Sequence, residues 1–178
     1  MIPTEDLNFK KLLNNVKAIV LDVDGVLSGN KVLMHDNGEL IRTANVKDGF
    51  AIQYAVRMGL KVGIITGGWS EVVQTRYSRL GVKDIYIKCK DKRNEFEDFL
   101  IKNNLEAKDV LYMGDDLLDY HVMKIAGIAV CPKDAASEIK AISVYISDYC
   151  GGEACVRDII EQVMRAQGKW MTEEAFVL

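Results

Sequence analysis

The sequence predicts an α/β protein with a Rossmann-like, three-layer fold, in which helices cover both faces of a parallel central sheet. Short runs rich in β-branched residues alternate with segments of helical periodicity, which is the pattern of a parallel sheet. The run Ala18–Leu21 is apolar throughout, as expected for a central strand covered on both sides. With 178 residues, 49% of them hydrophobic and 28% charged, the chain is long enough to bury one substantial core. We therefore expect a single domain over residues 1–178.

Further strands are predicted where short apolar runs recur along the chain. They cover residues 62–65, 85–87, 110–113, 128–130 and 144–146. Apolar residues that recur every three or four positions predict four amphipathic helices packed on the sheet. The four sets are Phe50, Tyr54 and Met58; Val73, Tyr77 and Leu80; Phe96, Phe99 and Leu100; and Val156, Ile159, Ile160 and Val163.

A β-hairpin is predicted as an insertion after the first strand, at about residues 28–45. Residues 31–35 and 39–43 flank Asp36-Asn37-Gly38, and an Asn-Gly step is a strong short-range signal for a hairpin. An isolated two-stranded ribbon is only marginally stable in water. We therefore expect the hairpin to pack on its own body or on another subunit.

The composition excludes several classes of function. With 23 Lys and Arg against 26 Asp and Glu, the formal charge of −3 provides no broad basic field for nucleic acid or an anionic membrane. The N-terminus lacks a signal-peptide pattern and no apolar run approaches the ~18 residues that span a bilayer, so we expect a cytoplasmic protein. The 4 cysteines form no Cys-x-x-Cys pair and there are only 2 histidines, so we expect ordinary thiols rather than a zinc site.

Polar residues follow the predicted strands at their carboxyl ends, where open α/β sheets bind ligands. The first, second and fourth strands lead into Asp22-Val23-Asp24-Gly25, Thr66-Gly67-Gly68 and Gly114-Asp115-Asp116, with Asp119 following. The third strand leads toward Lys88, Lys90 and Lys92. We therefore expect carboxylates, a hydroxyl, an ammonium group and glycine amides to share one crevice.

These groups suit phosphoryl chemistry. Asp22 and Asp24 lie two residues apart on an extended backbone, so their side chains leave on the same face. Each like-charged pair of carboxylates at about 4 Å repels by on the order of 4 kcal/mol at an effective dielectric near 20, so the cluster needs a cation. Oxygen ligands without imidazole or thiolate favour a hard ion, and Mg²⁺ is the best candidate. A carboxylate would attack phosphorus and water would hydrolyse the aspartyl-phosphate, with the second motif aspartate as acid and base.

The order of these motifs resembles a known superfamily. Asp22-x-Asp24-Gly25-Val26, Thr66-Gly67, a downstream lysine and Gly114-Asp115-Asp116-x-x-Asp119 resemble the four signature motifs of the haloacid dehalogenase superfamily phosphatases. The resemblance spans essentially the whole chain. It implies a phosphoric monoester hydrolase that depends on Mg²⁺ and forms an aspartyl-phosphate.

The resemblance also implies roles for the acidic residues. Asp22 would be the nucleophile and a metal ligand. Asp24 would be the general acid and base, and would bind the metal through its backbone carbonyl. Asp115 would be the remaining protein ligand of the metal, while Asp116 and Asp119 would support these ligands without touching the ion.

The phosphate-binding residues follow in the same way. Thr66 and the amide of Gly67 would bind the phosphate, and Lys92 fits the spacing of the motif lysine best. The alternatives for this lysine are Lys88 and Lys90.

The short segments between the motifs leave no room for a cap domain. The chain resembles the capless, tetrameric phosphatases of 3-deoxy-D-manno-octulosonate 8-phosphate (KDO 8-phosphate) within the superfamily. This resemblance is carried by Val46-Lys47-Asp48-Gly49, Gly151-Gly152 with Val156-Arg157-Asp158, and Ala166-Gln167-Gly168-Lys169. It implies a phosphorylated sugar acid as substrate, substrate binding by Asp48, and a homotetramer in which hairpins assemble the subunits and a neighbour helps to cover the site.

Two positions depart from the pattern of that subgroup. Gly68 stands where many members have arginine, and Glu153 stands where they often have arginine or lysine after the two glycines. Both changes remove a cation that could bind the substrate carboxylate, so a nine-carbon acid, 2-keto-3-deoxynononate 9-phosphate, remains an alternative substrate. Arg76 could supply the carboxylate-binding cation.

Two further alternatives remain open. A phosphoacceptor signalling domain has a similar acidic cluster, but it lacks the second acid/base aspartate that Asp24 provides. The tail, residues 168–178, carries Trp170, Met171, Phe176, Val177 and Leu178. It is predicted either to dock over a neighbouring active site or to fray or pack on its own subunit.

Overall fold

A computed structural model gives the structure of residues 9–176. Its strands are β1 Ala18–Leu21, β2 Leu33–Met34, β3 Leu40–Ile41, β4 Lys61–Ile65, β5 Asp84–Tyr86, β6 Val110–Met113, β7 Ile128–Cys131 and β8 Tyr145–Ile146. Six of them form a parallel sheet in the order β5-β4-β1-β6-β7-β8, and β2 and β3 form a separate antiparallel pair. The predicted fold class is confirmed, and β1 has the central, fully buried position that its apolar run predicted.

The α-helices are α1 Phe9–Leu12, α2 Val46–Arg57, α3 Glu71–Arg79, α4 Lys92–Asn103, α5 Tyr120–Ile125, α6 Ser137–Ile142 and α7 Cys155–Ala166. Three of them begin at side-chain caps, which satisfy amides of the first turn. Asn45 caps α2, Ser70 caps α3 and Asp91 caps α4. The cap at Asp91 makes Lys92 the first residue of its helix and so fixes the lysine beside the sheet edge.

The helices form two layers, one on each face of the sheet. Ile19 and Leu21 of β1 pack in the cluster that contains residues of α2, α3 and α7. Ala18 and Val20 point the other way, into the cluster that contains residues of α4, α5 and α6. Alternate residues of one strand thus hold the two helical layers, as the pleat of a strand requires.

Three helices were not predicted from the sequence, and they are all short. Helices α1, α5 and α6 have 4, 6 and 6 residues. A helix of one or two turns offers too few positions for a periodic pattern to emerge. The four predicted amphipathic helices are present as α2, α3, α4 and α7.

The predicted hairpin is present, but its paired strands are shorter than expected. The predicted runs 31–35 and 39–43 reduce to β2 and β3, with two residues each. The backbone N–H of His35 donates to the carbonyl of Glu39 over 2.9 Å, and Gly38 closes the turn with a φ of +86°. This left-handed conformation suits glycine, which has no Cβ to clash with the backbone.

The loop after β1 is packed against two segments that come much later in the chain. A Cβ on Gly25, which has a φ of +85°, would lie 1.9 Å from Oδ2 of Asp115, and one on Gly151 would lie 1.9 Å from the carbonyl oxygen of Gly25. The N–H of Gly152 donates to the carbonyl of Val26 over 2.8 Å. The first motif is therefore packed closely against the Asp115 side chain and the backbone of Gly151, at distances that only glycine permits at residues 25 and 151.

The tail contacts its own subunit through Lys169 and Trp170, whereas Met171 and Phe176 are exposed. The hydroxyl of Tyr54 donates to the carbonyl of Lys169 over 2.9 Å. Trp170 lies 5.5 Å from the Tyr54 ring between centroids, and the guanidinium of Arg157 lies over the Trp170 ring at 4.6 Å. Val177 and Leu178 lie outside the described residues.

The composition led to expectations about the cysteines and about membrane-spanning segments. All four cysteines carry free thiols. Among residues 9–176 there is no helix with the length and apolar character needed to cross a membrane.

Candidate active site

The buried part of the site is an ion-pair network at the carboxyl ends of β1 and β6. The ammonium group of Lys92 lies 2.9 Å from Oδ1 of Asp22 and 2.7 Å from Oδ1 of Asp119. All three side chains are less than one tenth exposed. A buried ammonium group between two carboxylates stabilises both of them by charge-assisted hydrogen bonds. The structure thus brings Asp22 and Lys92 together as predicted, and we call Asp22, Lys92 and Asp119 the floor of the site.

Asp119 is held by three donors. Besides Lys92, the hydroxyl of Tyr112 donates to Oδ1 of Asp119 over 2.9 Å, and the backbone N–H of Asp115 donates to its Oδ2 over 3.2 Å. Both oxygens of Asp119 therefore already accept hydrogen bonds from the protein. Asp119 nevertheless belongs to the carboxylate group that could hold a cation, so its supporting role without a metal contact stays a prediction.

The carboxylate of Asp115 lies close to the two carboxylates of the floor. One oxygen each of Asp22, Asp115 and Asp119 lies within 4.8 Å of the others. Burial and the negative charge of Asp119 raise the pKa of Asp115 to about 7. Burial, together with the charge of Asp119, also raises the pKa of Asp22 well above its ordinary value, although Lys92 opposes this. Three carboxylates so close together, with no sulfur or nitrogen ligand in the set, fit a hard divalent cation.

Lys92 keeps its charge in this environment. Burial alone would lower the pKa of Lys92, but the carboxylates of Asp22 and Asp119 raise it above its ordinary value. The other two lysines considered from the sequence are placed differently. Lys88 lies over the ring of Trp69 at 5.0 Å, and Lys90 is exposed.

Asp24 lies at the more open part of the site and has a partner that the sequence did not predict. Its carboxylate accepts from Nε of Arg42 over 2.6 Å and from Nη2 of Arg42 over 2.9 Å. Its side chain is 39% exposed, whereas that of Arg42 is only 8% exposed. Ser28 also donates to Oδ1 of Asp24, over 3.3 Å. We call Asp24, Arg42 and Ser28 the rim of the site; a metal contact through the carbonyl of Asp24 stays a prediction.

Thr66 directly follows β4 and lies beside the rim. It is buried, and its Oγ1 accepts from the backbone N–H of Gly68 over 3.1 Å. Since the hydroxyl accepts this bond, its own proton is available for a phosphoryl oxygen. A Cβ on Gly68 would lie 3.5 Å from Oγ1 of Thr66 and 3.4 Å from Oδ2 of Asp24, so this loop and the first motif border the same space. Phosphate binding by Thr66 and Gly67 stays a prediction.

Asp48 lies at the start of α7, and Arg76 lies beside the neighbouring Gly49, where a Cβ would be 3.0 Å from its Nη2. Oδ1 of Asp48 accepts from the backbone N–H of Arg157 over 2.6 Å, so Asp48 caps α7. Burial raises the pKa of Asp48 to about 6. Oδ2 of Asp48 and Nε of Arg76 are buried and, among the described residues, have no hydrogen-bond partner. The structure gives Asp48 a capping role, and substrate contacts of Asp48 and Arg76 stay predictions.

Asp116 is exposed and does not point into the network. Its carboxylate accepts from the N–H of Leu117 over 2.8 Å and caps the short turn that carries Asp119. Its charge contributes to the raised pKa of Asp115. Asp116 therefore acts on the site through the charge and the turn beside it, and its role beside the metal ligands stays a prediction.

Sequence reasoning missed three residues of the site, Tyr112, Arg42 and Ser28. Tyr112 lies in a predicted strand and received no role, yet a tyrosine two residues before Gly114 could have indicated a buried hydroxyl near the strand exit. Arg42 follows β3 in the hairpin, and the local pattern gives no reason to place it beside Asp24. Only the folded contact between the hairpin and the loop after β1 brings these residues together.

Comparison with known proteins gives concordant matches. A family model described as haloacid dehalogenase-like hydrolase matches residues 64–151. The 3-deoxy-D-manno-octulosonate 8-phosphate phosphatase KdsC of Salmonella typhi is 36% identical over 155 residues, which are 87% of this chain and 82% of that protein.

Solved structures agree with this match. The crystal structure of the corresponding phosphatase from Moraxella catarrhalis, in complex with a magnesium ion, a phosphate ion and KDO, has a TM-score of 0.87 at 28% identity and covers 90% of this chain and 92% of that chain. The crystal structure from Yersinia pestis has a TM-score of 0.87 at 30% identity, and covers 90% and 86% of the two chains.

Proposed function

We propose that this protein hydrolyses KDO 8-phosphate to KDO and inorganic phosphate. The chain belongs to the haloacid dehalogenase-like hydrolases and, within them, to the family of the KDO 8-phosphate phosphatases. Phosphatases of this family hydrolyse phosphate monoesters with the help of a divalent metal, which confirms the predicted enzyme class. The relatives are hydrolases rather than signalling domains. The observation that carries the proposal is the contact of Asp22 with Lys92 beside Asp115 and Asp119, at the edge of the central strands.

Asp22 is the nucleophile of this proposal. Its oxygen attacks phosphorus, the bond from phosphorus to the sugar oxygen breaks, and the electron pair of that bond goes to the leaving oxygen. Lys92 offsets the negative charge that would otherwise repel the phosphate dianion from the carboxylate. Thr66 and the amide of Gly67 donate to the phosphoryl oxygens, which accumulate charge in the transition state.

Asp24 transfers the protons of both half-reactions. It gives a proton to the leaving sugar oxygen while the aspartyl-phosphate on Asp22 forms. A water molecule then attacks this phosphorus and gives its proton to Asp24, the bond from phosphorus to the oxygen of Asp22 breaks, and inorganic phosphate leaves. The two half-reactions return Asp22 and Asp24 to their starting states.

We propose Mg²⁺ as the cation, held by Asp22, Asp115 and the backbone carbonyl of Asp24, with Asp119 holding the other two carboxylates in place. The carboxylate oxygens present suit this hard ion. When bound, Mg²⁺ neutralises negative charge between the carboxylates and the phosphate and polarises the phosphoryl oxygens.

We also propose a homotetramer assembled through the hairpins, with a neighbouring subunit covering each active site. Four large apolar side chains of the hairpin are exposed, by 69% at Leu33, 86% at Met34, 45% at Leu40 and 47% at Ile41. Contiguous exposed apolar patches mark interaction surfaces. A covering subunit would exclude water from the open rim and so strengthen the electrostatic contacts of the site.

The substrate carboxylate is assigned to Arg76. Its Nε is buried and, within residues 9–176, has no hydrogen-bond partner, and its side chain borders a surface groove on α3 with Thr75 and Arg79. A guanidinium can donate to both oxygens of a carboxylate in a bidentate contact.

The test is a phosphate-release screen of the purified enzyme with Mg²⁺ over phosphate monoesters of eight-carbon and nine-carbon sugar acids. We expect the highest kcat/KM for KDO 8-phosphate. A higher kcat/KM for 2-keto-3-deoxynononate 9-phosphate would transfer the assignment to the nine-carbon acid. Absence of phosphate release from every ester would contradict the proposed function altogether.

A further inference from the structure

The hairpin sends one long side chain into the active site. Arg42 binds Asp24 with two hydrogen bonds, from Nε to Oδ1 over 2.6 Å and from Nη2 to Oδ2 over 2.9 Å. Two parallel N–H donors on the two oxygens of one carboxylate form the bidentate geometry that fixes both the position and the plane of that carboxylate. The contact joins residues 18 positions apart, on two different segments of the chain.

Two further neighbours, Leu40 and Gly68, restrict the position of the Arg42 guanidinium. Nη1 of Arg42 donates to the carbonyl of Leu40 over 3.2 Å, which holds the guanidinium against its own strand. A Cβ on Gly68 would lie 3.0 Å from Nη2 of Arg42, closer than ordinary contacts allow. The lack of a side chain at residue 68 therefore leaves the space that the guanidinium occupies.

This arrangement differs from an ordinary surface ion pair. Exposed pairs between long side chains contribute little, because water competes for the charges and both side chains remain mobile. The side chain of Arg42 is instead only 8% exposed. This flexible side chain is held in one conformation beside Asp24, the group that transfers protons in the proposed reaction.

We propose that Arg42 is a positioning residue for Asp24, holding the carboxyl group in the plane from which its proton reaches the leaving oxygen. This inference rests on the proposed function and extends it to a residue of the hairpin. During the first half-reaction the proton passes from Asp24 to the leaving oxygen as the bond from phosphorus to that oxygen breaks. The carboxylate that remains then accepts both N–H groups of Arg42. A lysine has the same charge but no planar fork, so it cannot define the plane of the carboxyl group.

The test compares leaving groups, because only poor leaving groups need the proton. We would measure kcat/KM of the wild type, Arg42→Met and Arg42→Lys with p-nitrophenyl phosphate, whose leaving group departs without a proton, and with ethyl phosphate and KDO 8-phosphate. The ratio kcat/KM covers the steps up to the first phosphoryl transfer, so hydrolysis of the aspartyl-phosphate does not enter. We expect both variants to lose about 10²-fold with the two alkyl esters and less than about threefold with the aryl ester.

Two more variants separate positioning from charge and folding. Lys31→Met removes an exposed positive charge from the same hairpin, and we expect it to leave kcat/KM unchanged for all three esters. Gly68→Ala keeps Arg42 but places a methyl group against Nη2, and is expected to give the same leaving-group pattern with a smaller loss. Thermal unfolding of each variant shows that the protein compared is folded.

Several results would overturn the inference. Equal losses for aryl and alkyl esters would mean that Arg42 acts on the phosphate or on the fold. A loss confined to KDO 8-phosphate would make Arg42 a contact of the sugar acid, and full activity of Arg42→Lys would reduce its role to charge. A wild type that cleaves none of the three esters would instead contradict the proposed function itself.

Discussion

Asp22 and Asp24 are two residues apart, but they lie in different environments. The side chain of Asp22 is 9% exposed and contacts an ammonium group from α4 on the floor of the site. The side chain of Asp24 is 39% exposed and is held by a guanidinium from the hairpin on the rim. The floor is built from elements of the central core, while the rim depends on an inserted segment with few internal contacts. The difference separates a preorganised nucleophile from an acid/base group whose position depends on the hairpin.

The largest effect is expected from breaking the floor at the nucleophile. Asp22→Asn removes the attacking oxygen charge while keeping the shape of the side chain, and we expect phosphate release to fall by at least about 10³-fold. The measurement is steady-state phosphate release by protein purified away from any host phosphatase. Circular dichroism of the variant serves as the control for folding. Activity within tenfold of the wild type would remove Asp22 from the role of nucleophile.

Asp24→Asn gives the matching change on the rim. It keeps the nucleophile but removes the proton transfer, so we expect phosphate release from KDO 8-phosphate to fall by about 10²-fold to 10⁴-fold. Near-native turnover of this ester would contradict the assignment of Asp24 as acid and base.

Removal of the ammonium group of Lys92 from the floor is expected to affect stability as well as activity. Lys92→Met leaves Asp22 and Asp119 buried without their ammonium partner, and breaking a buried ion pair in this way costs about 3–5 kcal/mol. Urea denaturation at neutral pH measures the free energy of unfolding. Lys90→Met, which removes an exposed charge two residues away, is the matched control and is expected to change this free energy by less than about 0.5 kcal/mol. Equal stabilities of the two variants would contradict the buried network.

The carboxylate of Asp115, beside the floor, should also make the stability of the protein depend on pH and on the metal ion. The pKa of Asp115 rises in the folded protein from its ordinary value of 3.8 to about 7, so the folded state binds more protons than the unfolded state between these values. Stability contributed by this group is therefore lost as pH rises from about 4 to about 7. Since Mg²⁺ binds ionised carboxylates, we expect saturating Mg²⁺ to raise Tm by about 5–10 °C at about pH 8 and by less at about pH 5.5.

The measurement is thermal unfolding in a chelator and in Mg²⁺ across this pH range. Asp115→Asn is the control, because it removes one titrating group and should weaken the pH dependence in the chelator, while Asp22 and Asp48, whose pKa values are also raised, keep part of it. An equal increase in Tm at both pH values would contradict a site that the cation shares with protons.

The smallest effect on chemistry is expected from the outer face of the hairpin. Met34 is 86% exposed, and Met34→Asp places a charge in the proposed subunit interface. We expect light scattering to show loss of the tetramer, since burial of an unpaired charge in an interface is costly, and activity to fall by less than about tenfold. Lys31→Asp, on the same hairpin, is expected to keep the tetramer. A tetrameric Met34→Asp variant, or a monomeric wild type with full activity, would contradict assembly through the hairpin.

The same contrast explains how much could be predicted from the sequence. Part of the floor follows from a local pattern, because an apolar strand places Asp22 at its carboxyl end. Lys92 was instead chosen over Lys88 and Lys90 by the spacing of the family motif, and the structure shows that the cap at Asp91 makes it the first residue of its helix. Order along the chain and the parallel sheet then bring the two together. The fold class, the family and the pairing of Asp22 with Lys92 were accessible for this reason.

The rim could not be derived in this way. The contact of Arg42 with Asp24 depends on the direction in which a short hairpin leans, and no periodicity encodes that direction. The buried role of Asp48 as a cap of α7 joins residues 109 positions apart and was equally inaccessible. Tyr112 was missed because a strand residue with a hydroxyl looks the same in the sequence whether it packs in the core or donates to Asp119.

The backbone contacts of Gly25 have a consequence for the newly synthesised chain. The loop after β1 receives its final neighbours from Asp115 and from Gly151 and Gly152, which the ribosome adds long after residue 25. Closure of such long loops is slow, because contacts between distant segments must wait for the intervening chain to be ordered. An incomplete chain that ends between residues 120 and 150 thus already contains every acidic residue of the reaction, yet it lacks the two glycines that pack against the loop after Asp24. The first motif therefore gains its complete set of neighbours only when the chain has passed residue 152.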